Sequence, residues 1–300
     1  MTAHNIVFLI DIQNGFAKDG LTLAQGGSLY VPGGEKVGAS AADMIRNLHG
    51  STVILSQDFH PANHISFASN HPGHAPFSNV NLKRGSDGRY QLAANASADS
   101  IPQTLWLNHC VQGTTSALFV DDIMAVLPPS LCAKVFAHNA CPVMGDIDKN
   151  NGNKFWVVHK GTKSDIDSYG IATENDRVTK TFAPLLFTHI AAELKQRGVN
   201  EANIYIGGLA TNFCVEYSHN DIHKYLVPKL QGCGIKANVS LLTDISAGIP
   251  IAVPDGSWPD LASASKRMGA FGTMETTTKD VIRSVLARPA AKAPLPQAKP

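Results

Sequence analysis

The sequence predicts an α/β protein built on a parallel sheet, and three observations carry that prediction. Runs such as Ile6–Ile10 (IVFLI) and Phe155–Val158 (FWVV) are apolar at every residue, as strands covered on both faces are. They alternate with stretches whose apolar residues recur at three and four, the helical period. Several of the runs also end on an acidic, basic or thiol side chain, and in open parallel sheets ligands bind outside the carboxyl ends of the strands.

The elements follow in chain order. Ile6–Ile10 is the first strand and ends at Asp11. Val37, Ala41, Met44, Ile45 and Leu48 mark a helix that Gly50 closes as a C-terminal cap. Thr52–Leu55 (TVIL) is a strand running toward Asp58, and Phe155–Val158 is one running toward His159 and Lys160. Leu186, Ile190 and Leu194 share a helix face closed by Gly198. Strand Ile204–Ile206 leads through Gly207 and Gly208 to a helix starting near Thr211 and Asn212, both favourable N-cap residues. Val239–Leu242 is a further strand, and Leu261–Phe271 and Asp280–Ala287 read as helical. Residues 70–104 and 128–153, rich in Asn, Gly, Ser and Pro, read as long excursions over one face of the sheet. Residues 1–288 are taken as one domain. The last twelve residues, Pro289–Pro300, hold four Pro and four Ala and are expected to form a disordered tail.

Composition narrows the class. With 25 basic and 24 acidic residues among 300, the chain is not expected to bind nucleic acid through bulk charge. No apolar run approaches the roughly 20 residues that span a bilayer, and Met1–Asn5 lacks the pattern of a secretory signal. Five cysteines (Cys110, Cys132, Cys141, Cys214, Cys233), an odd number without CxxC spacing, argue against a disulfide framework. A soluble, cytoplasmic protein is the expectation.

Cys214 is the sharpest chemical feature. In the first turn of a helix it sits near the positive end of the helix dipole, which favours the nucleophilic thiolate. The preceding Gly-Gly-Leu-Ala turn could aim backbone N–H groups at an oxyanion. The plainer alternative is a small buried apolar cysteine. Asp11 could act as a general base or merely cap a turn, and Lys160 could stabilise developing charge or snorkel to solvent. A second constellation is Asp58-Phe-His60-Pro-Ala-Asn-His64, with His109 later in the chain. Residues two apart on an extended segment project to one side, so Asp58 and His60 could join His109 as an N/O donor set for Zn²⁺, Fe²⁺ or Mn²⁺. With twelve histidines such spacing also arises by chance, and His64, His71 and His74 are either bystanders or an extra ligand. Phe16 and Trp106 stand in polar surroundings, which suits stacking on a flat substrate.

Five segments in order, IDIQNGF (10–16), SQDFHPANHISFASNHPG (56–73), LWLNHCVQGT (105–114), VHKGTKSDIDSYG (158–170) and GGLATNFCV (207–215), resemble the nicotinamidase/pyrazinamidase family of isochorismatase-like cysteine hydrolases. The resemblance covers residues from about 6 to 250. It implies a three-layer α/β/α sandwich with a six-stranded parallel, Rossmann-like sheet. It further implies a triad of Asp11, Lys160 and Cys214 and an oxyanion hole from the N–H groups of Ala210 and Cys214, after a cis Leu209–Ala210 peptide. It places substrate contacts at Phe16, Trp106, Tyr169 and Leu209, and one divalent metal, foremost Zn²⁺, on Asp58, His60 and His109, with His64 a ligand only in some members. Asn212 departs from the Asp of many members. The implied reaction is hydrolysis of nicotinamide, and of pyrazinamide, by a chain that forms a homo-oligomer in many relatives. Two alternatives stand beside it: hydrolysis of another small amide, and a non-catalytic metal- or partner-binding protein on the same scaffold.

Overall fold

A computed structural model describes residues 3–138, 141–250 and 261–287. Its centre is a sheet of strands β1 (Ala3–Ile10), β2 (Thr52–Asp58), β6 (Val143–Ile147), β7 (Lys154–Lys160), β8 (Glu201–Leu209), β9 (Lys236–Ala247) and β10 (Met274–Thr276), in the order β10-β9-β8-β1-β2-β7-β6. The pairings among β10, β9, β8, β1, β2 and β7 are all parallel, so the six parallel strands are present. A seventh, β6, adds itself antiparallel at one edge. β6 and the helix Pro129–Phe136 lie inside the 128–153 excursion, which read as loop because of its polar run at 148–153, although Leu131 and Val135 already stand at helical spacing. The other excursion holds a separate three-stranded antiparallel sheet in the order β4-β3-β5, from β3 (Asn79–Arg84), β4 (Tyr90–Ala93) and β5 (Ile101–Thr104). Val80 and Leu82 turn inward there and form a small core with Ile65, Ala68 and Leu105. The expected tail and residues 251–260 lie outside the described residues.

Helices cover both faces. Val37–Asn47 packs with Asp121–Met124 and Thr278–Leu286 on one side, and Ala183–Gln196 packs with the helical run that follows β8 on the other. The runs recognised in the sequence are the middles of the strands. Ile6, Val7, Phe8, Leu9 and Ile10 have no exposed surface, and Phe8 meets Phe187 edge to face, centroids 5.9 Å apart. Burying one such side chain contributes about 1.5–3 kcal/mol, and these residues supply the inner layer of the sandwich. No helix among the described residues is long and apolar enough to cross a membrane.

Register carries the site. Ile10 lies opposite Ser56 on β2 and opposite Gly208 on β8, while Asp58 lies opposite Lys160 on β7. The carboxyl ends of four strands are therefore level. Gly208 (φ 139°) lets β8 close against Ile10 where any Cβ would strike the Ile10 backbone.

Candidate active site

At that edge Asp11, Lys160 and Cys214 come together. Asp11 continues β1 at φ 49°; its N–H bonds to Ser56, and the Ser56 hydroxyl donates to Asp11 Oδ1 at 2.7 Å. The Lys160 side chain is fully buried. Its ammonium lies 2.8 Å from Asp11 Oδ2, pairs closely with Asp58 Oδ1, donates to the Ser168 carbonyl at 3.0 Å and reaches Cys214 Sγ at 3.4 Å. Burial disfavours that charge, but the two carboxylates and the thiol outweigh it and hold the Lys160 pKa well above its usual value. Burial pushes the Asp11 carboxyl up to about 6 against the pull of Lys160. Burial likewise pushes the Cys214 thiol well up, with Lys160 opposing. At neutral pH the set is thus a thiol beside a carboxylate and a cation.

Cys214 occupies the π-helical turn Thr211–Val215 that follows β8, and the Leu209–Ala210 peptide is cis. The N-cap position belongs to Ala210, without a side-chain cap, rather than to Thr211 or Asn212. The Asn212 amide instead ties the turn to residue 249, accepting from the Ile249 N–H at 3.0 Å and donating to its carbonyl at 3.1 Å.

Asp58, His60 and His109 form the second group. The His60 N–H donates to the Cys110 carbonyl at 3.1 Å, which lays residues 109–111 beside the Asp58–His60 segment. His60 Nδ1 lies 2.8 Å from the Gly161 carbonyl and His109 Nδ1 2.7 Å from the Leu107 carbonyl. A carbonyl only accepts, so each Nδ1 carries a proton, and in the neutral imidazole each Nε2 then presents a lone pair. Both Nε2 atoms face Asp58 Oδ2, at 3.5 and 3.8 Å, and buried His60 Nε2 has no hydrogen-bond partner among the described residues. Two lone pairs converging on a carboxylate oxygen make an electrostatically incomplete arrangement that a cation completes, and the donor types suit Zn²⁺ or another first-row divalent ion. The backbone carbonyls behind the imidazoles supply the outer hydrogen bonds that such ligands use.

His64 is placed differently. Its Nδ1 meets the Ser66 hydroxyl at 2.7 Å and its Nε2 the Ile166 carbonyl at 3.3 Å, so both ring nitrogens are engaged while the ring lies 4.2 Å from that of His60. The nearby His71 bonds the Ile65 carbonyl.

Phe16, Trp106 and Tyr169 line a pocket with Asp58, His109, Ala210 and Cys214. Trp106 Nε1 donates to the Tyr169 hydroxyl at 3.1 Å, and Phe16 approaches the His109 ring at 5.2 Å. Leu209 is fully buried and does not line this pocket; its side chain packs toward Gly34. Sequence reasoning missed Asp167 and Phe213, which do line it. Asp167 lay inside the VHKGTKSDIDSYG segment but carried no spacing signal of its own. Its carboxylate faces His60 through the fold and takes a 3.3 Å bond from Gln103 Nε2.

A parallel-sheet protein with a buried cysteine, carboxylate and lysine beside a three-donor cation set is the class that fold and site define. Among known proteins, the chain is 32% identical over 218 residues to the nicotinamidase of Acinetobacter baylyi, covering 73% of this chain and 74% of the relative. It is 30% identical to that of Escherichia coli over 91% of this chain and 95% of the relative. The chain belongs to the nicotinamidase family. The solved structure of a nicotinamidase/pyrazinamidase of Acinetobacter baumanii superposes with a TM-score of 0.60 at 26% identity, covering 93% of this chain and 98% of that one. A scan of protein-family models found no match.

Proposed function

We propose that the protein hydrolyses nicotinamide, and its pyrazine analogue pyrazinamide, to the acid and ammonia through a Cys214 thioester, as a step in NAD salvage. The observation that carries this reading is the Lys160 ammonium touching Asp11, Asp58 and Cys214 at once. That contact joins a nucleophile, its base and a candidate cation site within one buried cluster.

Asp11, ionised near neutral pH, takes the Cys214 proton as Sγ forms a bond to the amide carbon. The Ala210 and Cys214 N–H groups hold the oxyanion, and such donors typically contribute about 10²–10³-fold in rate. Asp11 returns the proton to the amide nitrogen; the C–N bond breaks and ammonia leaves. A water gives Asp11 a proton and attacks the thioester, the C–S bond breaks, and Asp11 passes its proton to the departing sulfur, which releases the acid and restores the Cys214 thiol and the Asp11 carboxylate. Lys160 keeps Asp11 and the sulfur in register through both steps. Phe16 and Trp106 flank the ring and exclude water. Asp58, His60 and His109 would hold one divalent cation, which supplies a Lewis acid for the ring nitrogen.

The test is ammonia release from nicotinamide by the purified, metal-replete protein, with pyrazinamide alongside. Release that is lost in Cys214→Ala supports the reading. No release from either amide overturns it.

A further inference from the structure

The segment between β7 and the Ala183–Gln196 helix contains no helix or strand, yet it carries two parts of the site. The Ser168 carbonyl accepts from Lys160 at 3.0 Å, and Tyr169 forms a pocket wall. A connection of this length has many conformations unless something outside it holds it. Bonds such as Tyr169 N–H to Asn175 Oδ1 at 2.9 Å act within it, and the hold from outside that reaches nearest the nucleophile comes from the helical run that carries it.

Asp221 lies seven residues after Cys214 on that run and has no exposed surface. Its Oδ2 accepts from the Ala172 N–H at 2.7 Å and the Thr173 N–H at 3.1 Å. Its Oδ1 accepts from the Thr173 hydroxyl at 3.0 Å and from Arg177 Nη2 at 2.9 Å. Four donors from one short stretch of the connection thus converge on one carboxylate, satisfying a charge that would otherwise be costly to bury. The backbone at Gly170 passes so near that any Cβ there would overlap the Asp221 carboxylate. Arg177 also lies 5.3 Å over the Tyr217 ring, and Tyr217 meets Tyr169 edge to face with centroids 5.3 Å apart.

We propose that Asp221 is a positioning residue for the reaction: its carboxylate locks the Ser168–Thr173 segment onto the nucleophile's helix. Tyr169 and the Ser168 carbonyl then stand at fixed distances from Cys214. Asp221 touches none of the reacting groups and acts through Tyr169 and through the Ser168–Lys160 bond. This inference rests on the amide hydrolysis proposed above.

The test measures kcat and KM for nicotinamide in Asp221→Asn, Tyr169→Ala and the double variant, at a temperature where circular dichroism shows each folded. Asp221→Asn keeps the shape but turns an NH₂ toward N–H donors, and kcat/KM should fall roughly 10- to 100-fold, mostly through KM. In the Tyr169→Ala background the same change should raise KM by less than about threefold, because residues acting through one another are not additive. A merely structural carboxylate would lower the melting temperature and leave KM and kcat of the folded protein unchanged, or would multiply independently with Tyr169→Ala. Either result overturns the proposal. Arg177→Gln removes one of the four donors and serves where Asp221→Asn does not fold. It should raise KM roughly three- to tenfold on the same reasoning, and an unchanged KM would again overturn the proposal. Absence of turnover in the wild-type protein would sink the amidase reading itself, and this inference with it, whereas an active wild type with unaffected variants sinks this inference alone.

Discussion

Two pairs of neighbouring histidines, one fully buried and one partly, invite comparison. At the strand ends, His60 and His109 give their Nδ1 protons to backbone carbonyls and aim both Nε2 lone pairs at Asp58. On the helical run that follows Cys214, His219 and His223 stand with ring centroids 4.5 Å apart, and both Nε2 atoms converge on the Thr273 hydroxyl at 2.6 and 3.2 Å. A hydroxyl donates one proton and accepts others, so it can satisfy two imidazoles of opposite tautomer without any ion. A cavity of about 690 Å³ adjoins the second pair, lined by His223 and Phe271 among others, yet among the described residues it holds no buried carboxylate paired with a lysine. Neither the number of imidazoles nor the size of a cavity marks a cation site. Unspent lone pairs facing a carboxylate do.

The contrast can be tested from its largest effect downward. Cys214→Ala should remove turnover by at least about four orders of magnitude, as loss of a nucleophile does in other covalent hydrolases, while the circular dichroism spectrum stays native. Retained turnover would show that the strand-end cluster is not the reacting one.

The next effect concerns metal. His109→Ala deletes one donor and leaves the Lys160 pairs with Asp11 and Asp58 in place. Bound zinc, measured by plasma emission after dialysis, should fall well below one per chain, with activity reduced roughly 100-fold or more. Stripping the wild type with a chelator should act in the same direction, and readdition should restore it. By contrast, His219→Ala with His223→Ala should leave both the zinc content and kcat/KM unchanged. Its cost is three hydrogen bonds, about 1 kcal/mol each, or a melting temperature lower by roughly 6–12 °C. Zinc lost from that double variant would erase the distinction between the two clusters.

The smallest effect is one of pH. Burial pushes His4 and His219 down to about 4. Above pH 6.5 both are neutral whether folded or unfolded, and their contribution to stability is fully present. As pH falls from about 6.5 to 4 the unfolded chain takes up protons that the folded one refuses, so stability drops, and below 4 that contribution is gone. Melting temperature should therefore decline from pH 7 to 5, and His219→Gln should flatten the decline. A slope unchanged by that substitution would mean the His219 ring is not held neutral by the fold.

Much of this molecule was legible in the chain because parallel strands buried on both faces must be apolar throughout. IVFLI, TVIL and FWVV could hardly be anything else, and a strand's reactive residue lies where the strand ends. Asp11, Asp58 and Lys160 stood out for the same reason, whereas His60, His109 and Cys214 lie beyond strand ends, and the assembled triad and donor set came from the family resemblance. β6 and the small sheet of residues 79–104 were not, since edge and half-exposed strands carry polar residues that read as loop. The cap at Ala210 was missed because the Asn212 side chain, favourable for capping in isolation, is drawn to the Ile249 backbone.

The sequence by itself determined the architecture and the chemical types present: a thiol, two carboxylates, a lysine and the imidazoles, each at a strand end or beside one. Only the tertiary structure decided which of them meet. Register across β8, β1, β2 and β7 brings Lys160 against Asp11 and Asp58, and backbone carbonyls choose the imidazole tautomers. Helix and connection, about fifty residues apart in sequence, meet at Asp221. The physical reason is range. Hydrophobic pattern is local and survives in one dimension, whereas hydrogen-bond partnership and charge pairing act over a few ångströms between groups that only the packed chain makes neighbours.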